Sequence, residues 1–432
     1  MSLTDRRDLL AGLGATALLP ATFRTAAAAS TQSTALVAKA ETIALRPGRS
    51  GTWAWTLRGT TSILRYKRGG ELQITLQNDL PAAIALCVRG VDGAPFLEPL
   101  LGFPPVFAGT IMGLPLALRQ AGTHVCDLWP RNDDPARPIR PLPLVVEDEP
   151  AGSIDRDEVV LIEDWRVAAD GTALPPGVDP KDAAAVYTVN GQLVPDVSIR
   201  PHERLRLRII NGCQRSVVAA KIEAYEVRVM ALDGAPAEPF IARNGALVLA
   251  PGSRADVLVD GTASPGSVAS ILLHDGLESR PIARLVTSTE PPVRPALLSP
   301  EAALPSNGLP EKLDLKTALR VDVPLAGSDW TTPANFAASS QPAFRAKAGR
   351  IVVLALSNRA GIATTFHLHG HHFRLLDRLD DGWKPFWLDT LAVEPGQTQR
   401  IAFAAEHPGR YLIESTATDW AASRLLRWYD VE

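Results

Sequence analysis

One pattern, written three times, constrains the fold of this chain more than any other feature. Residues 64–78 hold a short strand, a Gly69-Gly70 turn and a second strand of alternating apolar and polar residues that ends on Asn78. Residues 197–211 repeat the arrangement and end on Asn211; residues 344–358 repeat it again and end on Asn358. Period-two alternation marks a strand with one buried face. The copies recur at intervals of roughly 130–150 residues, far beyond the ~20–50 residues of a solenoid repeat, so the sequence predicts three copies of one β-domain.

Each copy closes on glycine turns between short strands. Ala121-Gly122-Thr123-His124-Val125 does so in the first, Pro251-Gly252 in the second, and Pro395-Gly396 and Pro408-Gly409 in the third. Such turns join the strands of a Greek-key sandwich. The 36 prolines and 32 glycines, without long helical periodicity, also point to an all-β chain. Boundaries are expected near Glu149-Pro150 and in the proline-rich stretch 291–310. They give domains at 31–149, 150–290 and 311–432, with 291–310 as linker. A net charge of −3 without a basic run leaves no footprint for nucleic acid.

The N-terminus reads as an address. Arg6-Arg7 precedes an apolar run at 9–19 and a small-residue stretch ending at Ala29. That is the form of a twin-arginine export signal over residues 1–30, and it predicts the periplasm. The apolar run is shorter than the ~20 residues that span a bilayer, so no transmembrane anchor is expected after cleavage. Three cysteines, Cys87, Cys126 and Cys213, are too few for a disulfide framework in a chain of this size.

The segment Thr364-Thr365-Phe366-His367-Leu368-His369-Gly370-His371-His372-Phe373, followed by Asp389-Thr390-Leu391 and Glu394-Pro395-Gly396, resembles the histidine-rich motif of the multicopper oxidases. Val189-Asn190-Gly191 and Arg254-Ala255-Asp256-Val257-Leu258-Val259 are similar to that family as well. The resemblance implies three cupredoxin-like Greek-key β-sandwich domains. It also implies a type 1 copper in the last domain and a three-copper cluster between the first and the last.

The same resemblance places unsuitable residues at most ligand positions. Cys87-Val88-Arg89-Gly90 stands where one histidine pair would be, Asp127-Leu128-Trp129 at the next, and Glu414-Ser415-Thr416 at the pair flanking the type 1 cysteine. Thr364 and Trp420 stand at the type 1 histidines and Leu425 at the axial position. Only His367 and His369 keep their identity. A guanidinium stays protonated and does not ligate, and a type 1 site needs a thiolate. The family's oxidase chemistry is therefore not expected unless this register is wrong.

In the family's geometry Arg89, Asp127 and Thr416 would face one former copper position, and Trp129, His369 and Glu414 its neighbour. An Arg89–Asp127 or Arg89–Glu414 ion pair would then replace metal charge with protein charge. A rival expectation keeps one copper or zinc on Cys87 and His367, with His369 or Asp127 beside them. Otherwise Cys87 packs as a small hydrophobe, or pairs with Cys126 on a strand the family sets alongside. His367 and His369 alternate on one face of a strand and could equally bond backbone carbonyls. His371 and His372 are expected to orient loops, and His124, His202, His274 and His407 to be solvated. Asp380-Asp381 reads as a solvated bend, and Trp383, Phe386 and Trp387 as core between domains. The pattern is closest to the copper-free FtsP/SufI-type branch. That implies a periplasmic binding or scaffold protein with an envelope or division partner and no cofactor, a copper-handling protein being the alternative.

Overall fold

A computed structural model describes residues 31–46, 51–131, 137–148, 153–377 and 382–432. The arginine pair Arg6-Arg7, the boundary at Glu149-Pro150 and the Asp380-Asp381 turn lie outside the described residues. The described chain is almost entirely strand and turn, and its sheets fall into three pairs in chain order.

The three sandwiches share one plan. In the first, Glu71–Asn78 lies between Thr31–Ile43, which runs parallel to it, and Ile111–Ala117, which runs antiparallel. In the second, Arg204–Asn211 lies between parallel Arg156–Val167 and antiparallel Arg254–Asp260. In the third, Arg350–Ser357 lies between parallel Leu319–Pro324 and antiparallel Thr398–Ala405. The central strands are those that the repeated sequence pattern predicts. Their inward residues, such as Leu72, Ile74 and Leu76 or Leu205, Leu207 and Ile209, enter separate cores. Each buried aliphatic side chain contributes roughly 1.5–3 kcal/mol.

The terminal asparagine has the same task in every copy. The Nδ2 of Asn78 donates to the carbonyls of Ala82 and Val106, while its Oδ1 accepts from the Leu80 amide. Asn211 does this with Ser216, Leu249 and Cys213, and Asn358 with Ile362, Val393 and Ala360. A buried turn leaves backbone groups that need partners. The asparagine supplies three at once, which is the physical reason the pattern ends on it.

The sandwiches are held together by shared apolar clusters. Ala85, Cys87 and Trp129 of the first pack on Leu412, Leu426 and Trp428 of the third. Val125 and Val145 of the first pack on Val159, Leu161 and Ile210 of the second. Trp387 joins Ala235, Leu313 and Val353 in a cluster that includes the linker side of the third, with Trp383 packed against it. No helix among the described residues is long and apolar enough to cross a membrane.

Candidate functional site

Two strand pairs face each other across the contact between the first and third sandwiches. On the first, Ile84–Arg89 pairs with Gly122–Pro130 so that Cys87 lies opposite Asp127 and Ala85 opposite Trp129. Alternation sends Cys87, Arg89, Asp127 and Trp129 toward the third sandwich, and sends Leu86, Cys126 and Leu128 into the first sandwich's own core. On the third, Thr364–Leu368 pairs with Gly409–Ala417, placing His367 opposite Glu414 and Thr365 opposite Thr416. Phe366 and Ser415 face inward.

Glu414 is the centre of the constellation. Its Oε1 lies 2.9 Å from Arg89 Nη2 and 2.7 Å from His369 Nε2. Asp127 is 4.0 Å from the same Arg89 nitrogen, so of the two expected partners Arg89 takes Glu414. The other ring nitrogen of His369, Nδ1, lies 2.7 Å from Glu98 Oε1. His369 thus has a buried carboxylate at each nitrogen. Burial opposes a charged ring, but Glu98 and Glu414 outweigh it and lift the His369 pKa to about 9. Burial opposes the Glu414 carboxylate too, yet Arg89, Arg424 and His369 hold its pKa well below the usual range. Arg424 completes the cluster, with Nε 3.5 Å from Glu414, Nη2 3.7 Å from Asp127 and its guanidinium 4.4 Å from the Trp129 ring centre.

His367 is differently placed. Its Nδ1 is 2.8 Å from Thr390 Oγ1 and 3.1 Å from the Asp389 carbonyl. Burial, then the Arg89 charge, depresses its pKa to about 4. The proton sits on Nδ1, because Thr390 Oγ1 spends its own hydrogen on Asp389 Oδ1. His367, His369 and Glu414 are the group among the described residues whose ligand-type atoms lie within 4.8 Å of one another.

A second buried network adjoins this one. Arg254 of the second sandwich is fully buried and grips Asp389 of the third with two bonds, of 2.9 and 2.7 Å. It also donates to the carbonyls of Thr123 and Asp233. His372 bridges Asp92 of the first sandwich and the Asp233 carbonyl of the second. At Gly90, φ is +87° and a Cβ would collide with the Arg254 guanidinium, so only glycine fits. Three sandwiches meet on these side chains.

Several expectations need correction. Cys87 and Cys126 do not form a disulfide: their side chains leave opposite faces of the strand pair, and all three cysteines are free and buried. Cys87 and Asp127 do not join the group of candidate metal ligands. Cys87 packs among Ala85, Trp129 and Leu412, with burial pushing its thiol pKa well up, and Asp127 is turned to two arginines. His124 is not solvated; Arg254, Gly90 and Gly234 cover it, and burial lowers its pKa to about 4. His202 binds the Arg294 carbonyl and His407 packs on His371, while His274 is exposed as expected. His371 and His372 hold loops through Tyr429 and Asp92.

Sequence reasoning missed Glu98 and Arg424. Glu98 interrupts the apolar run Phe96-Leu97-Glu98-Pro99-Leu100-Leu101, and an acid so placed signals a buried partner. Arg424 adjoins Leu425, the position the family gives to the axial ligand, and nothing in its local pattern marks it.

Two family-level matches cover residues 157–269 and 311–432, both described as Multicopper oxidase. The multicopper oxidase MmcO of Mycobacterium tuberculosis (strain ATCC 25618 / H37Rv) is 26% identical over 321 residues, covering 63% of this chain and 62% of MmcO. The match thus spans less than two thirds of that relative. A multi-copper oxidase from Pseudomonas thermotolerans superposes with a TM-score of 0.79 at 23% identity, covering 94% of this chain and 100% of that one. Lac15 from a marine microbial metagenome superposes with a TM-score of 0.74 at 23% identity, over 93% of this chain and 100% of that one. At these identities the superpositions establish the fold.

Proposed function

We propose that this chain, which belongs to the multicopper oxidase superfamily, keeps the scaffold of its relatives and fills the copper-cluster space with protein charge. In this reading it is a non-catalytic, exported protein of the periplasm that binds a protein partner in the cell envelope or in division, in the manner of the FtsP/SufI-type branch. The carrying observation is His369. With a carboxylate oxygen 2.7 Å from each ring nitrogen and its pKa lifted to about 9, its surroundings favour the imidazolium, which has no lone pair for a metal, over the neutral ring that ligates. Arg89 stands beside it with a permanent charge, where a second cation would be repelled. The residues present therefore do not fit the family's copper set.

The domain division at 31–149, 150–290 and 311–432 belongs to the same proposal. So does export by Arg6-Arg7. Replacing both arginines with lysine is expected to leave the protein in the cytoplasm; unchanged periplasmic recovery would remove the export reading.

A second reading retains one copper. The unprotonated Nε2 of His367 with Glu414 and His369 could hold one ion if His369 gave up a proton. Oxygen uptake with a phenol or Cu(I) on copper-loaded protein separates oxidase from scaffold. The rate is expected to equal that of free copper; turnover abolished by His367→Ala would overturn the proposal.

A further inference from the structure

We propose that a cavity where the three sandwiches meet is a site for one small monovalent anion, of halide or formate size. The cavity has a volume of about 50 Å³, room for a few water-sized groups and no more. Each sandwich sends one arginine to its wall: Arg89 from the first, Arg215 from the second and Arg424 from the third. Two carboxylates, Asp127 and Glu414, face them.

The arginines are not equally satisfied. Arg89 is spent on Glu414. Arg215 is buried, yet among the described residues it has no carboxylate within ion-pair distance. Its guanidinium donates only to the carbonyls of Gln214 and Ala422. Carbonyl dipoles satisfy its hydrogens without neutralising its charge, and a buried charge without a counter-ion is costly. Arg424 reaches its two carboxylates only at 3.5 and 3.7 Å, so its five N–H donors retain capacity.

A third donor makes this a built site. Thr365 is buried, lines the same cavity, and its Oγ1 has no hydrogen-bond partner. Thr365 thus carries an unpartnered hydroxyl in the cavity wall, and Arg424 retains donor capacity beside a space whose guanidinium groups outnumber its carboxylates. Water would use the donors but would not offset the surplus charge. An anion does both, through charge-assisted hydrogen bonds. Glu414 is already shared by Arg89 and His369, and Asp127 Oδ1 accepts from the Leu128 amide, so neither competes for Arg424 at full strength. Their presence restricts the site by size: only a compact anion can contact the arginines without touching the carboxylates. His367 and Glu414 of the candidate metal group also line this cavity, so a bound metal would compete with the anion, and the anion site belongs to the metal-free protein.

The test uses the whole metal-free protein. Thermal unfolding is followed while sodium gluconate is replaced by sodium bromide, or by sodium formate, at constant ionic strength. Saturable stabilisation by bromide and formate is expected, with at least tenfold weaker binding in Arg424→Gln. Thr365→Val keeps the side-chain volume and is expected to weaken binding several-fold, which guards against a folding defect in the arginine variant. In crystals soaked in bromide, an anomalous peak is expected between Arg424 and Thr365. Equal response to bromide and gluconate, or wild-type bromide dependence in both variants, would overturn the proposal.

Discussion

The two regions where the family resemblance would place copper hold side chains of opposite kinds. Between the first and third sandwiches, Arg89, Arg424 and His369 meet Glu98, Asp127 and Glu414 in a buried charged cluster. At the positions in the third sandwich that the resemblance assigns to the type 1 copper, the side chains are neutral. Ser415 is buried and donates to the Leu325 carbonyl at 2.5 Å, Thr364 is buried beside it, and Leu425 packs on the core. Trp420 is buried with its indole N–H on the Pro175 carbonyl and Arg166 over its ring. The difference follows from the surroundings. Ser415, Thr364 and Leu425 lie within one domain, where a hydroxyl and apolar carbon suffice, while Trp420 is covered by Arg166 and Pro175 of the second sandwich. A space between two domains, walled by several polar positions, must keep its charges paired or expose them to a low dielectric unpaired.

The largest effect should come from breaking the charged region. Arg89→Met takes the nearest guanidinium from buried Glu414, leaves it His369 and the more distant Arg424, and is expected to cost about 3–5 kcal/mol in urea unfolding. Adding Glu414→Leu should return part of that loss, because the under-compensated carboxylate goes with it. A neutral Arg89→Met would mean that the cluster is not coupled.

Alkaline pH probes the same cluster more gently. Folding raises the His369 pKa from 6.5 to about 9, so its contribution is complete below about pH 6.5 and is lost as pH rises through 9. At ~1.4 kcal/mol per pKa unit this amounts to about 3 kcal/mol. His372, lifted to about 9 against burial by Asp92, loses stability over the same window. Stability measured from pH 6.5 to 10 should therefore fall, and His369→Gln should flatten the slope without abolishing it.

The neutral region should respond least. Ser415→Ala removes the donor to a buried carbonyl and is expected to cost about 1–3 kcal/mol. Ser415→Cys restores the thiol but not the histidines, so copper-loaded S415C should show no intense blue band. A blue band would show that the type 1 region still assembles.

The contrast between these regions also marks what was legible in the sequence. The sandwiches were, because Asn78, Asn211 and Asn358 each close a strand whose alternation is local. Arg89, Glu414 and His369 could be gathered in advance only through the family register. Glu98 and Arg424 could not, since each reaches the cluster from a loop with no period or motif to place it. His124 was misjudged for a related reason. Its turn looks open in the sequence, and the arginine that covers it comes from another sandwich. Local pattern encodes which face of a strand is buried; it does not encode what the neighbouring domain brings to that face.

Metal content decides whether protein charge occupies the copper-cluster space. Protein folded with copper and dialysed against a weak chelator is measured by mass spectrometry. No retained copper is expected in the wild type. Three or four coppers per chain, with a blue absorption band, would mean that the space still holds the metal cluster.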